Sequence, residues 1–186
     1  VLIWLSDIRE YDGMPVLDIN QFTPDKRLKN KTSQRVVPIN PMLIKAGLLE
    51  YRDTLRGAGY KRLFPELRWL GEDERYRKEP SRKFTKLLSE LGYARDNTLT
   101  FHCLRHTANN AAARVPLSAL GDMDSGLQVA TRYKLLGHAL PEGDVNARHY
   151  TAVKVPELMR MVNAMQFPGL PDIAQFDSAW GLEAVR

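Results

Sequence analysis

The apolar pattern of this chain changes period once, and that change limits the folds open to it. Up to about residue 39 the apolar residues fall in short, β-branched runs. Residues 7–9, 14–20 and 33–39 read as three short strands, with Tyr11-Asp12-Gly13 turning between the first two and Pro38 marking the end of the third. From there the spacing is helical. Pro41 opens a helix expected to reach about Arg56 and to close at Gly57 and Gly59. Phe84, Leu87, Leu88 and Leu91 recur at i, i+3, i+4 and i+7 in a helix over residues 81–91. Thr100 is placed to N-cap a helix over 101–114. Further helices are expected over 126–136, 144–151 and 156–165, the last striped by Leu158, Met161, Val162 and Met165. Residues 1–6 read as a helix end, and the charged stretch 61–80, with Pro65, Gly71 and Pro80, as a surface loop.

A length of 186 residues is enough for one domain with a real core. Hydrophobic residues at 44% and charged residues at 26% are ordinary for a soluble globular protein. No apolar run approaches the roughly 20 residues of a membrane span. The opening VLIWL is too short for a signal peptide and has no basic leader. With no initiator Met, the chain is read as a fragment of something longer. One cysteine, Cys103, excludes an internal disulfide and fits a reducing cytoplasm. A net charge of +5 suits a polyanionic partner, though mild basicity alone raises nucleic acid only modestly above other partners. The break Phe167-Pro168-Gly169-Leu170-Pro171 divides a main unit, 1–170, from an amphipathic tail, 171–186, expected to be helical and bearing Ile173, Phe176 and Trp180.

The residues that carry chemistry come in a fixed order. His102 and Arg105, in FHCLRHT, are three apart on a predicted helix and share a face. A guanidinium fork matches two phosphate oxygens, and an imidazole beside it donates a hydrogen bond or moves a proton. The bland reading of an isolated His-x-x-Arg is a helix cap and a solvated cation. His102 and His106 are spaced as in zinc helices, but the metalloprotease glutamate is replaced by Cys103 and no third ligand cluster is visible, so no metal is expected. His106 is expected to be buried in helix packing. In LLGH, Gly137 is a C-cap candidate that places His138 at the start of the next segment. Tyr150, in ARHY, is the only tyrosine after His138. A phenol titrates near 10, so it needs neighbouring cations and a base to act as a nucleophile; otherwise it is a half-buried core residue. Lys29 and Lys31 lie in the connection between two predicted strands, where a lysine reaches a DNA groove or acts as a general acid, or is simply solvated. Arg27 and Arg35 are candidates for backbone-phosphate contacts.

Taken together, LSDIREYDG, the run KNKTSQRVVP, HCLRHT, LLGH and the late tyrosine resemble the catalytic domain of tyrosine recombinases, the phage integrase family. The resemblance spans Lys29 to Tyr150. It implies an α+β fold: a mainly helical catalytic domain with a small three-stranded antiparallel sheet near the N-terminus. It also implies a site-specific recombinase of a phage or other mobile element that cuts and rejoins DNA through a 3′-phosphotyrosine, without cofactor. Tyr150 would be the nucleophile, Arg105 one of two arginines on the scissile phosphate, His102 a proton-handling neighbour and His138 a donor to a non-bridging oxygen. Lys29, or Lys31 if the loop alignment slips, would protonate the leaving 5′ oxygen. Partners would be double-stranded DNA and further protomers, as a tetramer on DNA, in a bacterial or phage-encoded, nucleoid-associated cytoplasmic setting. The family's first arginine precedes the hairpin, so this fragment alone is expected to be inactive or severely impaired. The twelve-residue interval from His138 to Tyr150 is longer than the family's common spacing. The tail is a candidate for packing on a neighbouring protomer, or for closing its own core. The rival readings are a DNA-binding module that no longer cuts, and a type IB topoisomerase with the same chemistry. A non-DNA hydrolase is remote, with no G-x-S-x-G in the chain.

Overall fold

The Asp12-Gly13 pair decides how the chain begins. Both residues have positive φ, 50° and 75°, which is what a two-residue hairpin needs for its twist to match the strands. In the computed structural model, which describes residues 2–28, 33–67, 78–93, 98–140, 153–171 and 174–177, this turn joins strand β1 (Ile8–Tyr11) to β2 (Met14–Ile19). A third strand, β3 (Arg35–Pro38), completes an antiparallel sheet in the order β1-β2-β3. Ile8 faces Leu17 in the first pair, and Val16 faces Pro38 in the second. Pro38 ends the ladder, and Ile39 returns one bond to Pro15 O. The fold is α+β, with helices following the sheet. The expected helix over 144–151, and Lys29, Lys31 and Tyr150, lie outside the described residues.

Two expectations near the N-terminus are corrected. Residues 1–6 were expected to be a helix end. Instead Trp4 bridges Arg62, Leu5 N–H donates to Lys61 O, and Leu63 N–H donates to Ile3 O. A single 3-10 turn, Leu5–Asp7, follows. The start of the expected loop 61–80 thus supplies backbone partners for these residues, and its end already belongs to a helix. The expected single helix from Pro41 is two: α1 (Pro41–Lys45) and α2 (Leu48–Gly57). Asn40 caps the first through Met42 N–H. Gly47, at φ 91°, breaks the run. A Cβ there would lie 2.7 Å from Phe176 Cβ, and Phe176 N–H donates to Ala46 O at 2.7 Å. The tail therefore occupies the break.

Helices α3 (Lys78–Glu90), α4 (Cys103–Ala113), α5 (Ser125–Leu136) and α6 (Val155–Ala164), with a 3-10 turn at Leu117–Ala119, complete the described elements. Asp124 caps α5 by accepting from Leu127 N–H. The α4 helix starts at Cys103, with His102 rather than Thr100 at its N-cap; Thr100 instead accepts from Cys103 N–H through its carbonyl. Two apolar clusters hold the fold. One joins α4, α5 and α6 through Ala112, Leu135, Leu158, Met161 and Val162, with Val37 of β3 against it. The other gathers Leu5, Ile8, Ile39, Leu55 and Leu63. At about 25 cal/mol per Å² of apolar surface, each fully buried leucine here contributes roughly 2 kcal/mol.

A buried polar node ties the sheet to the segment that follows β2. Lys26 Nζ lies 2.6 Å from both carboxylate oxygens of Asp7 and 3.0 Å from Asn20 Oδ1. The side chains of Lys26 and Asp7 are only 2% and 4% exposed. Asn20 Nδ2 and Trp4 N–H also donate to Asp7. Breaking such a buried pair from one side costs about 3–5 kcal/mol, because the other charge is left without a partner. The node fixes the chain just before the Lys29–Lys31 region.

Candidate functional site

The end of α5 sets the geometry of the site. Gly137 terminates the helix in the left-handed region, φ 66°. His138 N–H then donates to Tyr133 O at 2.9 Å, and Gly137 N–H to Lys134 O at 3.2 Å. This pair of bonds is the Schellman closure that a C-terminal glycine permits. It leaves the carbonyls of Leu135 and Leu136 facing outward with partial negative charge.

Two arginines from distant elements fill those positions. Arg35, the first residue of β3, donates Nε to Leu135 O at 2.9 Å, and its Nη1 donates to Ser33 O at 2.7 Å. Arg105, on α4, donates Nη2 to Leu136 O at 2.7 Å. The helix end thus acts as a double acceptor that holds two guanidinium groups beside each other and beside His138. Gly137 is required here for a second reason. A Cβ at that position would come within 2.6 Å of Arg35 Nη1 and 2.9 Å of Arg35 Cζ.

The electrostatics report the same crowding of cations. Arg35 titrates below the ordinary arginine value, first because it is partly buried and then because Arg105 is close. His138 is held below the usual imidazole range by desolvation and then by Arg105, Arg35 and Arg132. Its ring meets Tyr133 edge-on at 5.9 Å. Among the described residues no ion pair neutralises Arg35, Arg105 or Arg132. A group of like charges held by backbone carbonyls rather than carboxylates is poised to take an anion, because binding one relieves their mutual repulsion.

The sequence-identified residues divide into three groups. Arg35, Arg105 and His138 come together at the α5 terminus. His102 stands at the start of α4, exposed, with its ring edge-on to His106 at 4.8 Å, and Arg27 is exposed beside the buried Lys26. The hydrogen bonds and charge effects that tie the cluster together run through Arg35, Arg105, Arg132 and His138, and His102 and Arg27 lie outside them. Lys29, Lys31 and Tyr150 are outside the described residues. His106, expected to be buried, is exposed. The inward stripe of α4 runs through Ala108, Ala111 and Ala112, and His106 falls on the other side of the helix. No group of three metal-ligating side chains occurs among the described residues.

Arg132 is the member of the cluster that motif reading passed over. The one signal available was a basic residue one turn ahead of Leu136, and many helix arginines share that feature. No helix among the described residues is long and apolar enough to cross a membrane. Comparison of the chain with protein-family models, curated proteins and solved structures finds no match.

Proposed function

We propose that this chain carries the catalytic machinery of a site-specific DNA recombinase of the tyrosine type. The observation that carries the reading is the convergence of Arg105, Arg35 and His138 on the end of α5, in a chain where Arg105 and His138 stand in a Lys, His-x-x-Arg, Gly-His, Tyr order. Fixed cations around a phosphate site are what a phosphoryl-transfer transition state needs, since charge builds on its non-bridging oxygens.

In this mechanism Arg105 and His138 bind the non-bridging oxygens of the scissile phosphate. Nη2 of Arg105 is anchored on Leu136 O, so its remaining N–H donors are oriented before substrate arrives. His138 donates from one ring nitrogen. The Tyr150 oxygen attacks phosphorus as its proton passes to solvent, the bond to the 5′ oxygen breaks, and Lys29 or Lys31 gives that oxygen a proton. The 3′-phosphotyrosyl ester keeps the bond energy, so rejoining by a free 5′-hydroxyl reverses the step without nucleotide. The partners are duplex DNA and further protomers on it.

The test is covalent trapping. The purified protein is incubated with a library of nicked duplexes of randomised sequence, and adducts are recovered under denaturing conditions. A protein–DNA adduct is expected at the low yield of a severely impaired enzyme, and it should vanish in Tyr150→Phe. Duplex binding without an adduct in either protein would overturn the strand-exchange reading in favour of a DNA-binding module that does not cut.

A further inference from the structure

Arg132 has no place in the motif order, yet its surroundings resemble those of the two anchored arginines. It lies on α5 one turn before Leu136, the residue whose carbonyl holds Arg105. Its guanidinium carbon sits 5.4 Å from the centroid of the Tyr133 ring, and that ring meets His138. The three side chains therefore form a run of contacts, Arg132 over Tyr133 and Tyr133 edge-on to His138. The Nε of Arg132 is buried and has no hydrogen-bond partner. A buried donor of a charged group left without an acceptor is unfavourable, and Arg132 as a whole is only half-buried, so an acceptor reaching the guanidinium from its open side is favoured. Arg35 and Arg105 meet part of that requirement with backbone carbonyls, whereas Arg132 does not.

We infer that Arg132 is a further phosphate-binding residue, taking a backbone phosphodiester of duplex DNA next to the one held by Arg105 and His138. The inference rests on the proposed DNA reading and adds a contact to it. The contact with the Tyr133 ring helps hold the guanidinium in place, and a guanidinium offers a fork of donors to phosphate oxygens. A bound phosphate also sets its negative charge against three neighbouring cations, which offsets their mutual repulsion.

Duplex binding is measured by fluorescence anisotropy at a series of KCl concentrations, for the wild type, Arg132→Gln and Arg132→Met. The methionine keeps an apolar stem over Tyr133, and serves if glutamine disturbs folding as judged by circular dichroism. Each phosphate contact steepens the plot of log K against log salt by about 0.9. The expected result is a slope shallower by about that amount in either variant, with the wild-type slope kept in Arg132→Lys. Lys45→Gln, which removes an exposed charge at the end of α1, should leave the slope unchanged. A folded variant with the wild-type slope overturns the assignment of Arg132 alone. Absence of salt-dependent duplex binding by the wild type overturns the DNA reading, and the Arg132 contact with it.

Discussion

His138 shows how much a residue's chemistry depends on what the fold brings to it. In the sequence it is a histidine after a glycine. In the fold its imidazolium form is disfavoured by desolvation and by Arg105, Arg35 and Arg132. Its pKa in the folded protein therefore lies below the unfolded value. The stability that the neutral ring contributes is present above the ordinary imidazole pKa and is lost as pH falls below it. A bound phosphodiester reverses the balance by placing negative charge among the three guanidinium groups, which raises the histidine's pKa and draws in a proton. Duplex affinity should consequently rise as pH falls from about 7.5 towards the ordinary imidazole range near 6.5 and below. Anisotropy titrations across that range should show the rise in the wild type and a much flatter profile in His138→Gln. Identical profiles in both proteins would mean that His138 does not meet the phosphate.

At the scale of elements, the decisive one is the end of α5. Helix termini leave carbonyls without intrahelical partners, and cations near a C-terminus satisfy them favourably. Here the satisfied carbonyls in turn hold the cations still. Gly137 makes this packing feasible through its left-handed φ and through the absence of a Cβ against Arg35. Gly137→Ala should lose about 1 kcal/mol from the backbone conformation, and a further loss from moving the Arg35 guanidinium. Gly59 separates the two effects, because its φ is also positive, 82°, but a Cβ there would meet nothing within 4 Å. The melting temperature should drop further in Gly137→Ala than in Gly59→Ala, at about 2–4 °C per kcal/mol for a chain of this size, and duplex affinity should fall only in the former. Equal drops with unchanged affinity would show that Arg35 moves aside without consequence.

At the scale of the whole molecule, the two apolar clusters have different duties. The cluster of α4, α5 and α6 backs the cation site. The cluster around Leu55 anchors the sheet, the Lys26–Asp7 node and the helix pair α1–α2. Phe176 belongs to the second of these regions. Its ring meets Tyr51 at 5.1 Å, and its backbone closes on Ala46. The described part of the tail, 174–177, is not helical and docks on its own chain. Phe176→Ala should cost about 2 kcal/mol, less than the 3–5 kcal/mol of a fully buried phenylalanine, and leave duplex affinity intact. Thermal melts at several protein concentrations test this. A wild-type melting temperature that rises with concentration, and stops doing so in the variant, would show that the tail packs between protomers.

Local order was legible where a short-range rule decides the conformation. Asp12-Gly13 specifies a tight turn, β-branched runs specify β2 and β3, and apolar spacing specifies α5 and α6 to within a residue or two. Arg105 and His138 could be named because their short motifs place a fork of donors and an imidazole on defined helix positions. What escaped the sequence depends on partners distant along the chain. The break at Gly47 exists because Phe176 lies against it, and Trp4 is extended because residues 61–63 run beside it. His106 faces outward because the alanines of α4 take the inner side. Arg132 joins the cluster because α5 ends where β3 and α4 deliver their arginines. The sequence by itself determined the order of elements and the kinds of side chain available for phosphate chemistry, since turns, strand runs and helix stripes are local properties. Only the tertiary structure decided which cations meet, because Arg35 and Leu135 are 100 residues apart and no local rule relates them.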